Sequence, residues 1–188
     1  MDQGLIERIA RAEARRLLGA ATSRLEHVQG VASAAERARG AVPAEHQGLL
    51  IAAAWLHDIG YAAGVVDTGF HPLDGARYLG SHGAPARLCC LVANHTHAWV
   101  EAEARGLADA LAEEFPAERS PVADALTYAD LTTGPDGETV TVEDRIAEIL
   151  ERYGPDHVVH ESIRQVATDL IAAVRSVEAR LDDVAQPR

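Results

Sequence analysis

A chain of 188 residues with 47% apolar but only 4% aromatic residues can bury one hydrophobic core, and it favours helices packed through small side chains over a β-sandwich. Its formal charge of −12 disfavours nucleic-acid polymers and membrane surfaces as partners. All 17 cationic side chains are arginine, which excludes Schiff-base chemistry. Because no signal peptide is recognisable and no apolar run is long enough to span a bilayer, we expect a cytoplasmic protein.

Apolar residues recur at helical spacing along nearly the whole chain, which predicts an all-α fold. This spacing predicts helices at about 5–18, 21–39, 44–60, 72–79, 85–95, 105–115, 121–131, 142–153 and 157–181. The third contains eight consecutive apolar residues, Leu49 to Leu56, and should be the buried central helix. We therefore expect one domain over residues 1–188, a bundle of about seven to nine helices. Its core should lie at about 20–133, with the C-terminal helices at 141–181 packed on it.

The segment after residue 132 carries turn and capping signals. Residues 133–137 read Thr-Gly-Pro-Asp-Gly, a turn composition. Residues 139–142 are compatible with a short extended piece, but Thr141 followed three residues later by Asp144 also resembles a helix start. Both interpretations stay open at this point.

Two polar residues, His57 and Asp58, follow directly on the apolar run. Burying an imidazole and a carboxylate there is costly unless a partner satisfies them. An ion pair or a helix-end cap is the simple explanation. However, four further polar residues share a helical face with aliphatic side chains or stand at a helix start, and these are His27, His71, His95 and Asp130. A shared partner explains all six better than six separate structural roles.

A metal ion is the partner that this set of side chains favours. Neutral imidazoles and carboxylates together bind Mn, Fe, Zn, Ni or Co. Cys89 and Cys90 are adjacent within an apolar run, so we interpret both as small core residues. Without a cysteine ligand, a closed structural zinc site is disfavoured.

The ordered set His27, then Trp-Leu-His57-Asp58-Ile-Gly60, then Asp130 resembles the H…HD…D pattern of the HD-domain superfamily of metal-dependent phosphohydrolases. The resemblance covers about residues 20–133. It implies a helical bundle in which His27, His57, Asp58 and Asp130 hold one divalent metal ion.

Two additional segments, Phe-His71-Pro-Leu-Asp-Gly and Ala-Asn-His95, resemble the variant of this superfamily that holds a second ion. The resemblance implies that His71 and His95 bind the second ion and that Asp58 bridges the two. Tyr61 stands where many two-metal phosphodiesterases of the superfamily have a lysine. The GYP signature of the cyclic-dinucleotide enzymes and the acidic pair of the alarmone hydrolases are absent.

The resemblance implies hydrolysis of a phosphoester in a small molecule, nucleotide-like or another phosphorylated metabolite, by a metal-activated water. Asp58 is then catalytic. Arg24 lies one helical turn before His27, so we predict that it is catalytic and contacts a substrate phosphate, although a surface ion pair is the alternative. Tyr61, Arg77 and His97 are predicted to line the substrate pocket.

Three other interpretations remain open. Some proteins of the HD fold carry two irons and oxidise a small polar substrate such as a phosphonate or polyol, and the same ligands serve iron. A non-catalytic sensing module and a metal-free bundle are the other two. An alanine-rich helix face suits either a core or an interface, so a homodimer also remains open.

Overall fold

The structure, a computed structural model, describes residues 3–19 and 22–185. This part of the chain forms ten α-helices, one more than the upper end of the predicted range. They are α1 (Gln3–Leu18), α2 (Thr22–Arg37), α3 (Gln47–Leu56), α4 (His71–Ser81), α5 (Ala86–Asn94), α6 (Trp99–Ala104), α7 (Ala108–Glu114), α8 (Pro121–Leu131), α9 (Val142–Tyr153) and α10 (Val158–Ala185). Short 3-10 segments lie at Arg39–Ala41, Ala44–His46, Ile59–Tyr61 and His95–His97. The all-α prediction is confirmed.

The helix α3 is the central element, as the apolar run predicts. It packs against α1, α2, α5 and α8, and its residues from Leu50 to Ala54 are buried. It ends at Leu56 rather than at Gly60, because Gly60 belongs to the 3-10 segment that follows. None of the described helices combines the length and apolar character that a bilayer crossing requires.

Gly60 allows two backbone segments to approach very closely. A Cβ atom on Gly60 would lie 1.9 Å from the carbonyl oxygen of His71, which no side chain could tolerate. The segment after α3 therefore packs directly on the first turn of α4. This contact holds His71 close to His57 and Asp58.

The main departures from the predicted helices lie between residues 95 and 115. The predicted helix at 105–115 is shorter and is preceded by α6, which the sequence pattern did not reveal. Gly106, with a φ of +71°, separates α6 from α7. Helix α6 has only six residues, too few for a clear periodic stripe. Ala21, at the start of the predicted second helix, lies outside the described residues.

Of the two interpretations of the segment around residue 140, the helix start is correct, and the extended piece is reduced to one bridged residue. Thr139 forms an isolated antiparallel bridge with Thr133, which closes the predicted turn. Thr141 then caps α9, because its hydroxyl accepts a hydrogen bond from the backbone N–H of Asp144 at 3.1 Å.

The apolar side chains form two clusters. The larger one is built mainly from α1 to α5 and α8, and the smaller one from α8, α9 and α10 with Val100 of α6. Helix α10 packs along α8 and α9. Of the six polar residues singled out above, all but His57 line one cavity.

Candidate metal centre

The structure brings the six predicted ligands together. They come from five different helices or helix ends, and all but the half-buried His71 are buried. Helix α2 supplies His27, the end of α3 supplies His57 and Asp58, and α8 supplies Asp130. The first residue of α4 and the residue after α5 supply the two remaining histidines.

One group of potential ligand atoms comprises His27, His57 and Asp130. These atoms all lie within 4.8 Å of one another, a spacing that could hold a metal ion. The Oδ1 atom of Asp130 is 3.1 Å from Nε2 of His27 and 4.0 Å from Nε2 of His57.

A second group comprises Asp58, His71 and His95, with the same 4.8 Å limit between ligand atoms. The two imidazole Nε2 atoms are 3.2 Å apart. Nitrogen ligands that share one zinc ion, at bond lengths of about 2.0–2.1 Å, stand roughly 3 Å apart. The spacing therefore suits two nitrogens on a common ion.

Asp58 lies between the two groups and turns one carboxylate oxygen toward each. Its Oδ2 is 3.5 Å from Nε2 of His57 and 3.9 Å from Nε2 of His27. Its Oδ1 is 3.3 Å from Nε2 of His71 and 3.9 Å from Nε2 of His95. This carboxylate could therefore contribute to both groups at once.

The backbone orients three of the imidazoles. Nδ1 of His27, His57 and His95 lies 2.9, 2.8 and 2.7 Å from the carbonyl oxygens of Gly134, Ala54 and Val92. Because a carbonyl oxygen only accepts, Nδ1 carries the hydrogen and the Nε2 lone pair points into the site. Metal-bound histidines are typically held in this way.

These orientations leave lone pairs that need a cation. Nε2 of His57 is buried and has no hydrogen-bond partner among the described residues. Nε2 of His27 lies 3.1 Å from a carboxylate oxygen of Asp130, and in the neutral ring these two atoms are opposed acceptors. A metal ion between them would resolve both contacts. The residues therefore fit a metal site.

The electrostatics of the buried groups agree with this assignment. Burial raises the pKa of Asp58, but His57 and Arg24 outweigh it and hold that pKa well below its usual range. Burial and neighbouring cationic groups lower the pKa of His71 and His95. Burial also lowers the pKa of His57, but in the metal-free site the carboxylates beside it raise that pKa to about 9, so a proton on Nε2 then stands in for the metal ion. Asp58 is thus a carboxylate, and His71 and His95 are neutral imidazoles, which are the states that bind a metal ion.

Arg24 and Tyr61, both predicted for this pocket, lie at its mouth. Nη1 of Arg24 donates to Oδ2 of Asp58 at 2.6 Å. The guanidinium carbon stands 4.2 Å from the ring centroid of Tyr61, and that ring stacks on His71 with centroids 4.1 Å apart. Arg24 therefore forms a partly buried ion pair inside the cavity rather than one on the surface.

Arg77 and His97 are not brought to this cavity. Arg77 lies on another face of α4, where its Nε and Nη2 donate to Glu114 at 2.9 and 2.5 Å. Thr96 and His97 have left-handed backbones, with φ values of 51° and 56°. This conformation directs His97 into a separate cavity that includes Asp169.

Three charged residues in the cavity were not predicted from the sequence, and all come from α9 or α6. Arg145, Arg152 and Glu101 line it together with Tyr153. Arg145 lies on the apolar face of α9 with Ile149. A polar residue on an apolar helix face was the signal that identified His27 and His95. The same signal could have identified Arg145.

The family model described as the HD domain matches residues 24–156. No curated protein and no solved structure matches the chain. The matched range is more than half of the chain, and it contains all six residues of the candidate metal centre. The chain therefore belongs to the HD-domain superfamily of metal-dependent phosphohydrolases.

Proposed function

We propose that this protein is a phosphohydrolase that holds two divalent metal ions and cleaves a phosphoester of a small molecule. The observation that carries the proposal is Asp58, whose two carboxylate oxygens face two separate groups of ligand atoms. One ion would be held by His27, His57, Asp58 and Asp130. The other would be held by His71, His95 and Asp58. Bound ions would supply Lewis acidity toward phosphoryl oxygens and would acidify a nucleophilic water.

The arginines of the cavity support a phosphorylated substrate. Arg24 is held over the site by Asp58 and Tyr61. Arg145 is only 7% exposed, and its buried Nε atom has no partner among the described residues. A guanidinium group can bind phosphate oxygens through two parallel hydrogen bonds. In a chain without lysine, these two side chains are the best placed to orient a phosphoryl group.

The rest of the cavity supports a small substrate. Its volume is about 100 Å³. One wall is apolar and consists of Ile149, Val159 and Ile163, beside the ring of Tyr153. We expect the organic part of the substrate to pack on this wall while the phosphoryl group faces Asp58.

The test is to purify the protein without oxygen, measure its metal content, and assay phosphate release and oxygen uptake in parallel. The first probes are p-nitrophenyl phosphate and bis-p-nitrophenyl phosphate, followed by nucleotides and sugar phosphates. We expect metal-dependent phosphoester cleavage that is lost in Asp130→Ala and retained in His82→Ala, which changes an exposed histidine. Oxygen uptake with a phosphonate or polyol and no phosphoester cleavage would instead support the diiron oxygenase.

A further inference from the structure

A second cavity, of about 370 Å³, lies between α1, α2 and α3. It shares no lining residue with the cavity of the metal centre. Its polar lining comes from all three helices and comprises Glu7, Arg8, Arg11, Arg15, Gln29, Ser33, Glu36 and the indole of Trp55. Nothing in the proposed phosphoester chemistry uses these residues.

The three arginines of this cavity lack carboxylate partners within the described ranges. Arg8, Arg11 and Arg15 form no ion pair and no hydrogen bond there, although most other described arginines pair with an acidic side chain. Two glutamates, Glu7 and Glu36, also line the cavity, but Arg39 binds both. Its Nη2 donates to Glu7 at 2.8 Å and to Glu36 at 3.0 Å.

The three arginines are exposed and repel one another weakly, and a bound anion would relieve this repulsion. Positions 8, 11 and 15 lie on one face of α1 and span about 10 Å along it, and like charges at such spacings destabilise a helix. The guanidinium carbons of Arg11 and Arg15 stand 5.7 and 5.9 Å from the ring centroid of Trp55. The ring holds both groups at the cavity and leaves their N–H donors available.

We propose that this cavity binds a small polyanion with two or more phosphoryl groups, at a site separate from the metal centre. Three guanidinium groups match adjacent phosphoryl groups, because each can bind two oxygens. The volume falls within the usual range of small-molecule sites. Trp55 lies two residues before His57, so the site is next to the end of α3 that supplies the candidate ligands.

Trp55 provides a local probe of binding. The chain has only two tryptophans, and Trp99 is 46% exposed, so Trp99→Phe should fold and leave Trp55 as the single reporter. In this background, tripolyphosphate, pyrophosphate, phosphate and citrate are titrated at low salt while Trp55 fluorescence is recorded. We expect a saturable change, tightest for tripolyphosphate and weakest for phosphate, that weakens as salt is added.

Matched variants locate the site. Arg11→Gln and Arg15→Gln should each weaken binding of tripolyphosphate roughly tenfold or more, the usual effect of losing a hydrogen bond to a charged group. Arg37→Gln removes an exposed arginine that does not line the cavity, and it should bind as the parent does. The proposal is overturned by the absence of a saturable signal. Two further results also overturn it. One is equal affinity for tripolyphosphate in all three variants, which chelation of metal would produce. The other is an affinity for citrate as high as that for tripolyphosphate.

Discussion

The hydroxyl of Thr96 donates a hydrogen bond to Oδ2 of Asp130 at 2.6 Å, while Oδ1 of the same carboxylate faces His27 at 3.1 Å. Thr96 does so from a left-handed backbone with a φ of 51°. A non-glycine residue in such a conformation costs about 1–3 kcal/mol, so the rest of the fold must hold it there. The strained turn fixes which oxygen of Asp130 points toward the candidate metal ligands.

Replacing Thr96 by valine should weaken metal binding without unfolding the protein. Valine matches the shape and β-branching of threonine, so the backbone strain is unchanged, but the hydrogen bond to Asp130 is lost. Loss of a contact that orients a ligand typically costs about tenfold to a hundredfold in metal affinity. Competition titration with a chelator measures the change. Thr96→Ser keeps the hydroxyl and should retain most of the affinity; an unchanged affinity in Thr96→Val would contradict the orienting role.

Asp58→Asn should abolish tight metal binding and leave the helical content intact. The amide has the size of the carboxylate but lacks the negative charge that both groups of ligands would share. Elemental analysis after gel filtration gives the metal content, and circular dichroism gives the helicity. Asp67→Asn is the matched control, because the Asp67 side chain is 77% exposed. If Asp58→Asn retains full metal content and activity, Asp58 is only a helix-end residue.

His71→Ala and His95→Ala should each lose one metal ion and keep the other. Both imidazoles belong to the group around Oδ1 of Asp58, whereas His27, His57 and Asp130 form the other group. Elemental analysis should therefore give two ions per chain in the wild type and one in either variant. His82→Ala should retain both. A single ion in metal-replete wild type would exclude the two-ion site and favour a one-metal nucleotidase.

Arg145→Gln should impair turnover but not metal binding. Arg145 lines the cavity and its buried Nε atom has no partner among the described residues. The carboxylate of Glu148, which Arg145 also contacts, still has Arg152 as a partner. We expect kcat/KM for the phosphoester to fall about tenfold to a hundredfold, as when a hydrogen bond to a charged group is lost. Arg145→Lys should recover part of the activity. Arg164→Gln changes an exposed arginine and should have the kcat/KM of the wild type. A wild-type kcat/KM in Arg145→Gln would show that Arg145 has no role in turnover.

Glu13 should contribute to stability only above acidic pH. A hydrogen bond from Arg16 and another from Tyr78 outweigh burial and lower the pKa of Glu13 from 4.5 to about 2. Because the folded-state pKa lies below the unfolded value, this contribution is fully present above about pH 4.5 and is lost as the pH falls toward 2. Urea unfolding should show Glu13→Gln to be less stable than wild type at neutral pH. The difference in unfolding free energy between wild type and Glu13→Gln should shrink as the pH falls from about 4.5 toward 2. The exposed control Glu113→Gln should show no such trend.

The sequence by itself determined the helical class, the central helix and the candidate ligands. Helical periodicity is a local property, so the buried face of α3 could be read directly from its apolar run. His57 and Asp58 stood out because burying them without a partner is costly. The same argument identified His27 and Asp130, which lie far apart in the chain.

Only the tertiary structure decided which cationic side chains face the cavity. The spacing of apolar residues shows which face of a helix is buried, but it does not show which other residues pack against that face. Arg77 is near His71 in sequence, yet the turn of α4 directs it to Glu114, while Arg145 arrives from a helix 50 residues beyond His95. His97 follows His95 by two residues, but the left-handed backbone between them points it elsewhere. Such placements depend on long-range packing and on backbone conformation, neither of which leaves a periodic signal in the sequence.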